Sequence, residues 1–422
     1  MKSSEQNSKS ITTQALAQVQ KFAGYYDKIA LTNTKKVLDA FRKENVADYY
    51  LKPTTGYAYG DVGREALDKI FCHIFNTEAA LVRSQFVSGT HALAVAMLGN
   101  LENGDEVVGA TGTPYDTMQT IIGFPKPVPG SLVAKGIKYI NVPLIGKLID
   151  IKAILAAITE HTKMVHIQRS CGYSQVRDTL SVDEIGDIIK AVKKKYPKVI
   201  CFVDNCYGEF VEDIEPTDVG ADLMAGSLIK NLGGGLAPTG GYIVGKADLV
   251  YNSACRLTVP GLAGEMGATL GDTAREFYQG LFLAPHVVMQ AVKTAIYAAT
   301  VFSAMGYEVK PAAFETRHDI IQCITLHTPR ALEAFCHAIQ FNSPIDSNVI
   351  PEKGSLPGYA DPVIMAAGTF VQGASIELSA DAPMRHPYNV FMQGGLTFEH
   401  GILAINAAAA MLGKAPKFKL EL

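Results

Sequence analysis

The chain has 422 residues, more than one compact core usually needs, and its 38 basic and 41 acidic residues leave a formal net charge of −3. Neither sign gathers into a tail or block, so nothing electrostatic favours nucleic acid or an anionic membrane, and a small-molecule ligand is expected. Seven cysteines with no CxxC pair, behind the polar opening "MKSSEQNSKS", fit a reduced, cytoplasmic protein.

From Thr12 to about Val46 apolar residues recur at spacings of three and four (Leu16, Val19, Phe22, then Ile29, Val37, Leu38, Phe41), which predicts an N-terminal helical arm over residues 1–46, in two pieces. Short apolar runs ending in polar or glycine residues then alternate with helical segments: "DEVVGATG", "KYINVPLI", "TKMVHIQRS", "VICFVDN", "DLMAGSLIK" and "GGYIVG". Such alternation means an α/β fold, a mostly parallel sheet with helices on both faces, over residues 47–290. In "SVDEIGDIIKAVKKKYP", Ser181 is placed as N-cap, Glu184 completes a capping box, and Pro197 ends the helix before a strand at Val199. A long helix from about Pro285 to Met305, a helix near 329–340 and a loop rich in Pro and Gly from Asn342 to Asp361 mark a smaller C-terminal α/β domain, 291–422. The apolar "GILAINAAAAMLG" is interrupted by Asn406 and falls short of the ~18 residues of a membrane span.

In an open parallel sheet ligands bind where strands end. The residues collected there are Ser88, Gly89, Thr90, Tyr115, Ser170, Asp204, Ser227 and Lys230. "FVSGTHALAVAML" passes through Ser88, Gly89 and Thr90 into an apolar helix, whose free N–H groups and positive dipole end would suit a phosphate or only an ordinary N-cap. Asp204 closes an unbroken apolar run, and a carboxylate buried there needs a positive partner or an Asx turn. Lys230, in "GSLIKNLGGG", would have its amine pKa lowered by desolvation, which makes it a nucleophile toward an aldehyde and then a base. The glycines after it read as room for a cofactor or a neighbouring subunit. Taken together, a lysine, a carboxylate and phosphate donors are what pyridoxal 5'-phosphate requires. "GGGLAPTGG" is no GxGxxG fingerprint, HExxH is absent, and the dispersed histidines do not support a metal site.

"TGYAYGDVGRE", "QFVSGTHAL", "HIQRSCGYS", "VDNCYGEFVE", "GSLIKNLGGGLAPTGGYIVG", "GTFVQGASIELSADAPMRHPY" and "MQGGLTFEHG" resemble fold-type-I pyridoxal-phosphate enzymes. More narrowly, the chain is similar over nearly its whole length to the methionine gamma-lyase-like family, often labelled aluminium-resistance proteins and related to cystathionine lyases. The resemblance implies that Lys230 carries the cofactor, Asp204 pairs with its ring nitrogen, Ser227 with the Gly89 and Thr90 amides binds its phosphate, and Tyr115 stacks on the ring, with His91 the runner-up. It also implies a homodimer or homotetramer in which Tyr57 or Tyr59, and Arg64, reach a neighbour's phosphate. Arg385 is the candidate for the substrate carboxylate, with Arg169 and Arg177 as rivals. The expected reaction is β- or γ-elimination from a sulfur-containing amino acid such as cystathionine, cysteine or methionine. Aminotransfer, aldol cleavage or a non-catalytic pyridoxal-phosphate protein are the alternatives.

Overall fold

Every residue of "ICFVD" is buried, as a strand covered on both faces requires. This strand, β5 (Ile200–Asp204), lies mid-sheet in the computed structural model, which describes residues 2–174 and 177–413. Around it lie β1 (Ala79–Arg83), β2 (Glu106–Gly109), β3 (Lys138–Asn141), β4 (Thr162–Gln168), β6 (Leu223–Ser227) and β7 (Gly241–Gly245), in the order β1-β7-β6-β5-β4-β2-β3. Strands β3, β2, β4, β5 and β6 are parallel, while β7 runs antiparallel between β6 and β1. Parallel pairing aligns carboxyl ends: Gln168 pairs with Asp204, and Asp204 with Ala225, two residues before Ser227. Three polar strand ends thereby share one edge of an apolar sheet.

The large sheet is accompanied by α2 (Val62–Phe75), α3 (Gly89–Asn100), α4 (Asp116–Ile122), α5 (Ile151–Ala157), α6 (Val182–Lys195) and α7 (Ala247–Leu257). The capping box of α6 forms as expected: the Ser181 hydroxyl accepts from the Glu184 N–H, and the Glu184 carboxylate accepts from the Ser181 N–H at 2.8 Å. The smaller domain is an antiparallel sheet of β8 (Glu308–Lys310), β9 (Ile321–Thr325), β10 (Val363–Ala366), β11 (Ser379–Pro383) and β12 (Asn389–Gln393), in the order β10-β11-β12-β9-β8, with α9 (Pro329–Phe341) and α10 (Phe398–Met411).

Two helices differ from expectation. The N-terminal arm is one helix, α1 (Lys2–Lys43), rather than two. The long helix α8 (Thr273–Ala304) begins well before Pro285, which lies inside it. Proline is a good first-turn residue and so looks like a start, but the preceding segment buries Phe277, Tyr278 and Leu281 in the core and stays helical through it. By length and composition α8 could cross a membrane, yet most of its apolar stretch is buried, and it packs along α1 and α10 as a core helix joining the two domains.

The glycines after Lys230 serve this packing. A Cβ at Gly233 would lie 1.8 Å from the Leu228 carbonyl oxygen, one at Gly234 2.4 Å from that of Gly280, and one at Gly235 2.4 Å from a Leu396 methyl. The space read as room for a cofactor or subunit is therefore filled by α8 and Leu396 of the same chain. Gly280 meets the turn from the other side, its added Cβ falling 2.2 Å from the Gly233 oxygen, and no rotamer change relieves a clash with backbone. Gly280→Ala is expected to lower the denaturant midpoint by the equivalent of about 1–3 kcal/mol. A midpoint equal to wild type would show that α8 does not press on the lysine turn.

Candidate active site

The carboxyl ends of β4, β5 and β6 open into a cavity of about 280 Å³ closed on its far side by the small domain. Ser88, Gly89, Thr90, Tyr115, Ser170, Asp204, Ser227 and Lys230 all line it. Sequence reasoning collected the same residues from the ends of separate apolar runs, and the parallel register brings them together.

One end of the cavity is built for an anion. The Ser88 hydroxyl accepts from the His91 N–H at 3.1 Å and caps α3, whose first N–H groups have no intrahelical acceptor. Gly89 lies so close to β6 that an added Cβ would be 2.9 Å from the Ser227 Cβ. Ser227 is 0% exposed, and its hydroxyl has no hydrogen-bond partner among the described residues. A buried donor left unsatisfied is costly, and a phosphate at the helix N-terminus would satisfy it. Thr90 Oγ1 lies 3.4 Å from both the Tyr115 hydroxyl and Thr117 Oγ1, which places Tyr115 beside the cradle. Gln168 Oε1 accepts the Tyr115 N–H at 3.1 Å and ties that loop to the end of β4.

Asp204 Oδ1 accepts the Cys206 N–H at 3.1 Å, an Asx turn that fixes the carboxylate in the cavity wall. Burial pushes its carboxyl above the ordinary value, against the pull of Lys230, the Cys206 N–H and Arg177. Lys230 opens the 3-10 turn Asn231–Gly233, its Nζ 3.9 Å above the centre of the Tyr207 ring. Its amine is not lowered as expected. Burial alone disfavours the ammonium, but Cys206, Tyr207, Tyr115 and Asp204 favour it and hold the pKa well above the usual lysine value.

The remaining predicted residues fare differently. His91 does not face the cavity: its Nδ1 accepts the Val87 N–H at 3.2 Å and its ring packs edge-on to Phe86, so it cannot stack on a bound ring. Arg64 is buried and donates to the Gly56, Gly267 and Glu265 carbonyls of its own chain at 3.2, 3.1 and 2.9 Å. Tyr57 and Tyr59 are 62% and 91% exposed and lie outside the cavity wall.

None of the three candidate arginines lines the cavity. Arg169 is buried against Asn205, Glu212 and Glu215, where a guanidinium has acceptors on several sides. Arg177 is buried and donates to the Gln168 and Ser170 carbonyls, holding the end of β4. Arg385 stands at the rim, 3.2 Å from Asp361 and 3.9 Å from the cavity residue Asp116.

The structure adds residues that sequence reasoning missed. Tyr207 takes φ +74°, uncommon for a bulky residue, and so turns its ring beneath Lys230. Tyr173, Tyr359, Ser375, Ser379, Asp381 and Gln393 add to the wall, all but Tyr173 from the small domain. The alternation in "SADAP" was the available signal: Ala380 and Ala382 enter the core while Ser379 and Asp381 face the cavity. Behind the wall Glu209 is fully buried, its Oε1 accepting the Tyr242 hydroxyl at 2.8 Å and its Oε2 unpartnered.

A model of the family described as methionine gamma-lyase matches residues 8–412. YnbB of Bacillus subtilis (strain 168), an uncharacterized protein, is 49% identical over 389 residues, 92% of each chain. A Listeria monocytogenes structure, provisionally named a cystathionine beta-lyase involved in aluminum resistance, is 47% identical with a TM-score of 0.92, over 96% of this chain and all of that one. A carbon-sulfur lyase involved in aluminum resistance from Clostridium novyi NT is 45% identical with a TM-score of 0.91, over 96% of both chains. At 16% identity, the pyridoxal-5'-phosphate dependent protein YhfS of Escherichia coli shares the fold alone, with a TM-score of 0.60 over 90% of this chain and 96% of its own.

Burial raises the Glu209 carboxyl to about 8, so it is held protonated when folded and ionises near its ordinary value when unfolded. Its contribution to stability is complete below about pH 4.5 and is lost as pH rises toward 8. Glu209→Gln, which retains an acceptor for Tyr242, is expected to flatten denaturant midpoints across that window and to exceed wild type at its alkaline end. Parallel profiles for the two proteins would show that Glu209 does not titrate there.

Proposed function

This chain belongs to the methionine gamma-lyase family, and from that premise we propose a pyridoxal-phosphate-dependent carbon–sulfur lyase acting on a sulfur-containing amino acid by β- or γ-elimination. The observation that carries the reading is the convergence of Lys230, Asp204 and the unpartnered Ser227 hydroxyl on one cavity at the N-terminus of α3.

The residues fit the cofactor in charge and in order. The α3 amides with the Ser227 hydroxyl would hold its phosphate, Tyr115 would face its ring, and Asp204 would hold a proton at the ring nitrogen. When bound, pyridoxal phosphate supplies a carbonyl for an amine and an electron-poor ring that can take up the electron pair left at the substrate Cα.

With the cofactor bound, Lys230 would be placed as general base for the substrate Cα proton, and Asp204, by keeping the ring nitrogen protonated, would let the ring take up the electron pair left behind. Loss of the thiolate from Cβ would complete β-elimination. A γ-elimination requires a second proton, from Cβ. Burial holds the phenols of Tyr115, Tyr173 and Tyr207 above their ordinary values, so they stay protonated rather than acting as bases, and Lys230 is assigned both removals. Shared sites are part of the proposal, with exposed Tyr57 and Tyr59 presented to a second copy of the chain.

Borohydride reduction of the yellow holoprotein followed by peptide mapping is expected to label Lys230. Lys230→Ala should lose the yellow absorbance and at least about a thousandfold in turnover. Pyruvate or 2-oxobutyrate released together with a thiol marks β- or γ-elimination. A label on another lysine, or a keto acid formed only with a second keto-acid substrate, overturns the reading.

A further inference from the structure

The charged residues lining the cavity are Lys230 and three aspartates, Asp116, Asp204 and Asp381. Two of the carboxylates have cationic counterparts, since Asp204 faces Lys230 and Asp116 lies 3.9 Å from Arg385. Asp381 is different. It projects from the middle strand β11, is 9% exposed, and makes no ion pair among the described residues. Its bonds are to neutral donors, the Tyr173 hydroxyl at 2.8 Å and the Gln393 amide at 2.9 Å, and both fall on Oδ2, which leaves Oδ1 for a further donor. Burial holds the Asp381 carboxyl above its ordinary value, while Gln393, Tyr173 and Lys230 favour its ionised form, and an amine taken up by a cofactor would no longer supply the last of these. A buried carboxylate without a cation is costly, so this half of the cavity is built to receive one.

We propose that Asp381 binds a second ammonium group of the substrate, remote from the α-carbon, and so selects diamino thioethers over amino acids whose leaving group is uncharged. The inference rests on the lyase reading for its thioether, while recognition of the ammonium depends only on the cavity. Tyr173 and Gln393 orient the carboxylate, with Tyr173 stacked on Phe391 at 4.9 Å. Cysteine and methionine offer Asp381 nothing.

Calorimetric titration of the full chain loaded with pyridoxal phosphate, using L-lysine and L-norleucine, tests this without any sulfur chemistry. The two ligands match in chain length and differ in the terminal ammonium. Wild type is expected to bind L-lysine about tenfold or more tightly than L-norleucine, and Asp381→Asn, which preserves shape, to bring the two within about threefold. Equal affinities in wild type overturn the proposal without recourse to a variant, and so does a preference that survives in Asp381→Asn. A lysine preference abolished by Asp381→Asn, in a protein that releases no thiol from any thioether, upholds the ammonium site while refuting the lyase reading.

Discussion

The placement of the Asp204 carboxyl and the Lys230 amine on one cavity, at the ends of β5 and β6, is the constraint on which the rest of the site depends. Asp204 is 3% exposed, where a charge without a counterpart is costly, and nearby Lys230 favours its ionised form against burial. The surroundings fix the position of both groups. The Asx turn from Asp204 to Cys206 leads into the left-handed backbone of Tyr207, whose ring lies under the lysine. Asn231 Nδ2 donates to the Tyr207 and Glu209 carbonyls at 3.0 and 2.9 Å, so the residue after the lysine holds the strained segment in place. Strain at Tyr207 is thus sustained by hydrogen bonds from the very turn that presents Lys230.

The surroundings act on the amine in opposite senses: burial disfavours its ammonium form, while Cys206, Tyr207, Tyr115 and Asp204 outweigh burial and hold its pKa above the ordinary lysine value. The anion cradle lies at the other end, where the α3 N-terminus and the Ser227 hydroxyl are groups with donors to spare.

Much of this was legible in the sequence because a parallel sheet converts chain order into spatial order. An unbroken apolar run is a strand buried on both faces, so the polar residue that ends it lies at the edge where ligands bind. Asp204, Ser227 and the Ser88–Thr90 turn followed from that rule. Distance along the chain hid the rest. Asp381 sits in an antiparallel strand whose role as a cavity wall depends on the second domain folding over the first, a fact no local pattern carries. Arg169 and Arg177 were misleading for the converse reason: arginine suits an anionic ligand, but five donors suit loop carbonyls and buried carboxylates equally well. Pro285 misplaced the start of α8 because local preference yields to burial of Phe277, Tyr278 and Leu281.

The second domain supplies what the sheet edge lacks. Asp319 accepts from the Ser170 hydroxyl at 3.0 Å and from the Ile321 N–H at 3.0 Å, which ties the end of β4 to the start of β9. At the rim Arg385 lies between Asp361 and Asp116, joining the turn after β11 to the loop before β10 and to the first residue of α4. Arginine thus stands at the mouth and Lys230 with Asp204 at the sheet edge, and between them the β11 wall sets polar side chains toward the cavity and alanines toward the core.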